Sequence, residues 1–289
     1  MIAQQIVNGL MLGSTYALIA LGLTLVLGVF NKLNIAHGDV FMFGAFAGLA
    51  CAAAGASFAV AILAGMAAAA IVNVLIERFC FHPLRNSHFL APMLSTIAFG
   101  IMLQNVTTQI WGSDPSRFPN VEATAQLEFG GVLLSSVQIV ILLVATALMA
   151  VIDVVIHHTA IGRALRATAI DREIAGTLGI NTGKVILFTF LTAGALAGIA
   201  GVLTANVYSQ ITPHIGIRQG MIGMVAMVIG GLGNLRGAML GGIAIGVVEI
   251  LNDAYLGAAY RDLVVFSLFF GFLIMKPDGL IPQDRTLRA

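Results

Sequence analysis

The chain reads as an all-α integral membrane protein, a polytopic helix bundle of about 8–9 membrane segments with the N-terminus outside and the C-terminus cytoplasmic. Three observations predict this. Of 289 residues, 59% are apolar and only 9% are Asp, Glu, Lys or Arg, against roughly a quarter charged in soluble domains. So few charges cannot cover a water-facing surface of this size. The apolar residues also gather in runs of the roughly 20 residues that cross a hydrocarbon core. Finally, Lys and Arg fall unevenly between the intervening loops, as they do in inserted helices.

The runs come in order as 6–30, 34–54, 57–77, 89–110, 133–156 and 186–206, then a Gly-rich pair at 220–232 and 237–252, and a last one at 262–276. The first has no basic leader of the kind that precedes a cleavable signal peptide, and it is long enough to stay in the membrane. The pair is interrupted by Gly230-Gly231-Leu232-Gly233-Asn234. It reads as a hairpin of short or re-entrant helices, or equally as a tight turn between two spanning ones. Non-helical backbone at membrane depth survives only where protein or water surrounds it. On the first alternative, Gly233, Asn234 and Gly237 are therefore candidate pathway residues. The spacings Gly194/Gly198, Ala197/Gly201 and Gly237/Gly241 are the small-xxx-small faces that let helix backbones approach closely in lipid. Residues 1–289 form one membrane domain.

With the N-terminus outside, Lys32, Arg78, Arg85, Arg163, Arg166, Arg172, Lys184, Arg236, Lys276, Arg285 and Arg288 are cytoplasmic. Only Arg117, Arg218 and Arg261 are external, out of 14 Lys and Arg in all. The opposite orientation reverses this bias. Because the 220–252 hairpin returns to the side it left, the C-terminus is cytoplasmic on either reading of it.

The longest cytoplasmic loop, about 157–185, is polar enough to leave the bilayer and is helix-forming from Ala164 to about Leu178. Leu165, Ala169, Ile174, Ala175 and Leu178 make a partly apolar stripe, and Arg166, Asp171, Arg172 and Glu173 keep the rest wet. Gly179 stands where a glycine ends a helix, and Asn181 or Thr182 is placed to cap the next one. A short amphipathic helix between two spans fits the groove of a docking partner or the headgroup layer.

Asn34, His37 and Asp39 crowd the connection between the first two runs, with Gly38 free to turn or to admit another backbone. Polar groups there are costly near lipid and call for partners. They read either as a gate at the cytoplasmic mouth or as caps on the adjoining helices. Of the isolated polar residues inside apolar runs, Gln104 and Asn105 are expected to knit helices together, Glu249 to sit at the external interface, and Asp153 to need no special role. Trp111 is suited to anchor an interface.

No hydrolase or metalloprotease motif, metal-ligand cluster or disulfide framework is present, and no basic tract points to nucleic acid. The run Gly176 to Val185 faintly resembles a phosphate loop. It has Leu178 where the first glycine must be and Val185 where a magnesium-binding hydroxyl must be, so it does not make one.

Three stretches carry a family resemblance. NGLMLGSTYALIALGLTLVLGVFNKLNIAHGD, GRALRATAIDREIAGTLGINTGKVILFTFLTAGALAGIAG and GGLGNLRGAMLGG occur in the order in which similar segments occur in permease subunits of branched-chain amino acid ABC importers. The chain most resembles the shorter of the two permeases that pair in such systems. The resemblance implies a transport subunit rather than an enzyme, in a bacterial inner membrane, passing branched-chain or related amino acids inward. It implies two cytoplasmic ABC ATPase subunits, a second permease subunit and a periplasmic substrate-binding protein as partners. ATP and magnesium would be used by the ATPases, with no cofactor bound here. Gly162, Arg163, Arg166, Asp171, Gly179 and Ile180 fall in the motif of the ATPase-coupling loop. Asn34, His37 and Gly38 match the family's N-x-x-H-G turn, a candidate gate. A secondary transporter driven by an ion gradient is the alternative; it would want more buried ionisable residues than Glu249.

Overall fold

The structure, a computed structural model, describes residues 2–85, 87–119, 126–129 and 132–281. Arg285 and Arg288, and part of the loop 111–131, lie outside the described residues. Nine apolar helices correspond one for one to the nine predicted runs: α1 (Ile2–Phe30), α2 (His37–Ala53), α3 (Phe58–Ile76), α4 (Leu90–Trp111), α5 (Ser136–His158), α8 (Thr182–Tyr208), α9 (Ile215–Gly230), α10 (Leu235–Tyr255) and α11 (Arg261–Met275). A π-helical turn, Glu77–Phe81, continues α3. Seven of these segments are long and apolar enough to cross a membrane; α2 and α9 are shorter apolar helices. The protein is thus an all-α polytopic membrane protein, with α6 (Ala160–Ile170) and α7 (Arg172–Thr177) between α5 and α8.

Two small strand pairs add to the helices. β1 (Ser116–Arg117) pairs with β4 (Gln210–Ile211), and β2 (Gln126–Phe129) with β3 (Val132–Ser135), both antiparallel. The Gln4 amide completes the edge of β3 by bonding both the N–H and the C=O of Leu133 (2.8 and 2.9 Å). One end of the bundle therefore collects the N-terminus, the segment before α5 and the turn after α8. The opposite end collects the turn after α1, where Lys32 bonds the carbonyls of Leu84 and Arg85, the α6–α7 loop, and the chain after α11.

The order of packing follows from small residues. α1 runs through the middle and is buried along most of its length. A Cβ at Gly13 would stand 2.7 Å from Ile243 Cα of α10, and one at Gly44 of α2 would stand 2.6 Å from Gly198 Cα of α8. In lipid, where apolar area supplies no drive for helices to associate, such close backbone contact is a main source of cohesion. Gly201 meets α2, and Gly237 and Gly241 meet α9 at Gly230 and Ala226, so the small-residue faces expected from spacing are helix contacts. α3, α4, α5 and α11 form the periphery and leave large apolar side chains exposed, as lipid-facing helices do.

Candidate functional site

The turn between α1 and α2 starts at the surface with exposed Asn31 and runs inward. The side chain of His37, the first residue of α2, reaches Gly22 of α1. Gly22 lies eight residues before the end of α1, about 12 Å along its axis, so α2 begins inside the bundle. Asn34 is buried, and its Nδ2 donates to Asn73 Oδ1 of α3 (3.1 Å); Asn73 Nδ2 in turn donates to the Phe190 carbonyl of α8 (2.7 Å). Asn34 therefore bridges helices through its side chain and is not a cap. His37 is fully buried, with both ring nitrogens lacking a well-aligned partner. At Gly38, α2 crosses the first turn of α9: a Cβ there would collide with the Gly216 carbonyl and stand 2.9 Å from Gly220 Cα. Asp39 follows, its carboxylate against Gly100 of α4 and accepting from Gln104 Nε2 (2.8 Å).

At the opposite sequence motif, Asn234 Oδ1 accepts from Gly237 N (3.0 Å) and caps α10. Gly233 has φ +83° and Gly231 φ +116°, the left-handed region in which glycine is at little cost. The N–H groups of Leu280 and Ile281 bond the last carbonyls of α9, Ile229 and Gly230 (2.8 and 3.1 Å). Gly233, Asn234 and Gly237 thus build a tight turn strapped by the chain after α11, and they do not join the cluster around His37.

The loop after α5 is two helices where the sequence predicts one. Asp171 is extended (φ −151°, ψ 116°), ends α6, and caps α7 by accepting from the N–H of Glu173 and Ile174 (2.8 and 2.9 Å). An Asp satisfies its own backbone two and three residues on more readily than it extends a helix, hence the break. Gly162 packs on the Val155 and Ile156 carbonyls at the end of α5, and Arg166 donates to the Ile156 carbonyl. Gly179 (φ +83°) ends α7, with Ile180 N donating to the Ala175 carbonyl (3.1 Å), and Asn181 caps α8. The predicted apolar stripe divides. Leu165 and Ala175 are buried, while Ile174 and Leu178 face outward, 59% and 74% exposed, beside exposed Ile170 and Arg163.

A third cluster forms where α1, α9, α10 and α11 meet. Glu249, expected at an interface, is 0% exposed. It accepts from Tyr16 Oη (2.9 Å) and pairs with Arg218 (3.1 Å) and Arg261 (3.3 Å). Arg218 also holds Asp262 (3.0 Å), and Arg261 holds Asp253. One carboxylate thus ties α1, α9, α10 and α11. A charge next to an aliphatic run reads as interfacial; only the folded partners, 31 and 233 residues away, make it a core residue. Asp153, given no role by its sequence position, holds Arg236 through two hydrogen bonds (2.7 and 2.9 Å) and so joins the end of α5 to the start of α10. Trp111 packs on Phe43 and Phe46 of α2.

The chain has relatives among known proteins. Residues 5–275 match the family described as the permease component of branched-chain amino acid transport systems. The chain belongs to this family. The high-affinity branched-chain amino acid transport permease LivH of Escherichia coli K12 is 38% identical over 98% of this chain and 96% of its own length. BraD of Pseudomonas aeruginosa is 37% identical over the same shares. Among solved structures, PsaBC of Streptococcus pneumoniae in complex with a Fab aligns with 94% of this chain and 91% of that one, with a TM-score of 0.52 and 14% identity. At that identity the likeness is one of fold. The three sequence stretches that carry the resemblance lie on α1 with the α1–α2 turn, on the α6–α7 loop with α8, and on the α9–α10 turn.

Proposed function

We propose that this permease is one membrane-spanning half of an ATP-driven importer that passes branched-chain amino acids into the cytoplasm. The observation that carries the reading is identity to LivH and BraD over nearly the whole chain. Counting α2 and α9, the nine apolar helices make nine crossings and put the termini on opposite sides. The N-terminus is outside: on that side Arg218 and Arg261 are neutralised by Glu249, Asp253 and Asp262, while most remaining Lys and Arg lie in the other loops, as the positive-inside bias requires. The membrane is the bacterial inner membrane.

Two cytoplasmic ABC ATPase subunits grip the α6–α7 loop, a second permease subunit completes the pathway, and a periplasmic binding protein delivers the amino acid. Gly162, Arg166, Asp171, Gly179 and Ile180 act by holding the loop's shape against α5 and α8. The gripping contacts are left to the exposed Arg163, Ile170, Ile174 and Leu178. Closure of the ATPases then pushes a loop whose root is fixed to the end of α5. Asn34, His37 and Gly38 hold the interior turn around which α2 and α9 move.

The test is co-purification of the chain with the ABC ATPases encoded beside it, followed by ATPase assay in liposomes with binding protein and leucine. Stimulation of hydrolysis by the leucine-loaded binding protein is expected. Purification without any ATPase, together with solute movement driven by an ion gradient alone, would overturn the reading in favour of a secondary transporter.

A further inference from the structure

Among the described residues, the acids Asp153, Glu249, Asp253 and Asp262 each face an arginine. Asp39 does not. Its carboxylate makes no ion pair among the described residues; it is held by the neutral amide of Gln104, with the His214 imidazole at the start of α9 near enough to act on it. It also lies deep: it touches Gly100, the eleventh of the 22 residues of α4, and therefore sits near half the height of a membrane-spanning helix. An ionised group at that depth is expensive and is retained where it meets a partner or water.

The surroundings point to water and a cationic partner. Asp39 is buried but for 8% of its surface. From Gln104 a polar stripe climbs α4 toward its outer end, with Thr108 half-buried and Asn105 and Gln109 exposed. Exposed amides fit a hydrated path or a partner subunit better than lipid. One turn above Gln104, the fully buried hydroxyl of Thr107 has no partner.

We infer that Asp39 is a substrate-binding residue of the translocation pathway, taking the α-ammonium group of the amino acid as it passes the middle of the membrane, with Gln104 holding the carboxylate in place. This rests on the import reading above and adds to it a contact and its chemistry. The ammonium supplies a full counter-charge, which Gln104 lacks and the nearby His214 imidazole carries only when protonated. A permanent arginine partner, as at Glu249, would fill the same position and close it.

The test separates charge from shape. Asp39→Asn keeps an oxygen to accept from Gln104 and removes only the charge, whereas Gln104→Ala removes the hydrogen bond and leaves the charge. Each variant is assayed in the complete transporter in liposomes for leucine uptake and for hydrolysis stimulated by the binding protein. Asp39→Asn is expected to assemble, to hydrolyse ATP, and to lose uptake by roughly 10- to 100-fold, the worth of one charge-assisted contact. Gln104→Ala is expected to lose less. The proposal is overturned if Asp39→Asn takes up leucine like the wild type, if it fails to assemble, or if Gln104→Ala is the more damaging of the two. Absence of ATP-driven leucine uptake by the wild-type complex would instead overturn the import reading on which the proposal rests.

Discussion

Replacing Glu249 by Ala removes the one acceptor shared by Tyr16, Arg218 and Arg261. Deleting one partner of a buried ion pair typically costs about 3–5 kcal/mol, because the opposite charge is left without compensation. Here each arginine keeps a second acid, Asp262 for Arg218 and Asp253 for Arg261, which moves the loss below that range. The Tyr16 hydroxyl, fully buried, loses its carboxylate acceptor but keeps Tyr208 and Arg218 beside it, a loss of about 0.5–1.5 kcal/mol. The sum is about 2–4 kcal/mol, a fall in melting temperature of roughly 5–10 °C for a chain of this size. Thermal unfolding of the detergent-purified protein reads it directly. Glu249→Gln, which still accepts from Tyr16, should fall between Ala and wild type. Asp262→Ala should change little, because that acid is largely exposed and an exposed pair is worth at most about 1 kcal/mol. A melting temperature for Glu249→Ala within a degree or two of wild type would refute the assignment of Glu249 as the tie between α1, α9, α10 and α11.

Gly38→Ala drives a methyl group into the backbone of α9 at Gly216 and Gly220; melting should drop by the equivalent of about 1–3 kcal/mol, and an unshifted melt would show that the helices part there without cost. Asn73→Ala strands the Asn34 amide and removes the side-chain bond to the Phe190 carbonyl, so it should cost about 1–3 kcal/mol. Asn34→Ala, which leaves the Phe190 bond intact, should cost less, and the pair should be non-additive in a double-mutant cycle. Ile174→Asp with Leu178→Asp alters only exposed side chains; recovery of ATPase subunits on purification should fall while the melting temperature of the isolated chain stays put.

What the sequence makes legible follows from the range of the forces involved. Apolar runs and their lengths are local properties, so each helix is found with its ends within a few residues. Helix ends set by one residue are local too: Gly179 ends α7 and Asn181 caps α8 as their positions in the chain predict. The break at Asp171 was open to inspection, since Asp competes for its own backbone, but a single amphipathic stripe conceals it. Residues whose partners are distant in the chain are not legible. Asn34 reads as a cap because caps are the common use of Asn beside a helix; its partner Asn73 lies 39 residues on. Glu249 reads as interfacial for the same reason. The glycines of the two turns differ in place: Gly38 lies deep at a helix crossing, while Gly237 closes a turn against Gly230.

The interior charges divide by whether the protein supplies their counter-ion. An acid met by arginine is a strut: Glu249 joins helices far apart in the chain, and exchanging it for a neutral group should be read out as stability. An acid held by a neutral amide, with no arginine beside it and a polar stripe leading to it, keeps its charge available. Both kinds pay the same cost of burial, so cost alone does not distinguish them; the partner does. In a permease whose cargo is zwitterionic, the second kind has a use the first cannot have, because a carboxylate already neutralised by guanidinium has no net attraction left to offer an ammonium group. That difference makes the Asp39→Asn and Glu249→Gln variants complementary. The first should impair transport with little change in melting, and the second should lower melting more than it impairs transport by the molecules that remain folded.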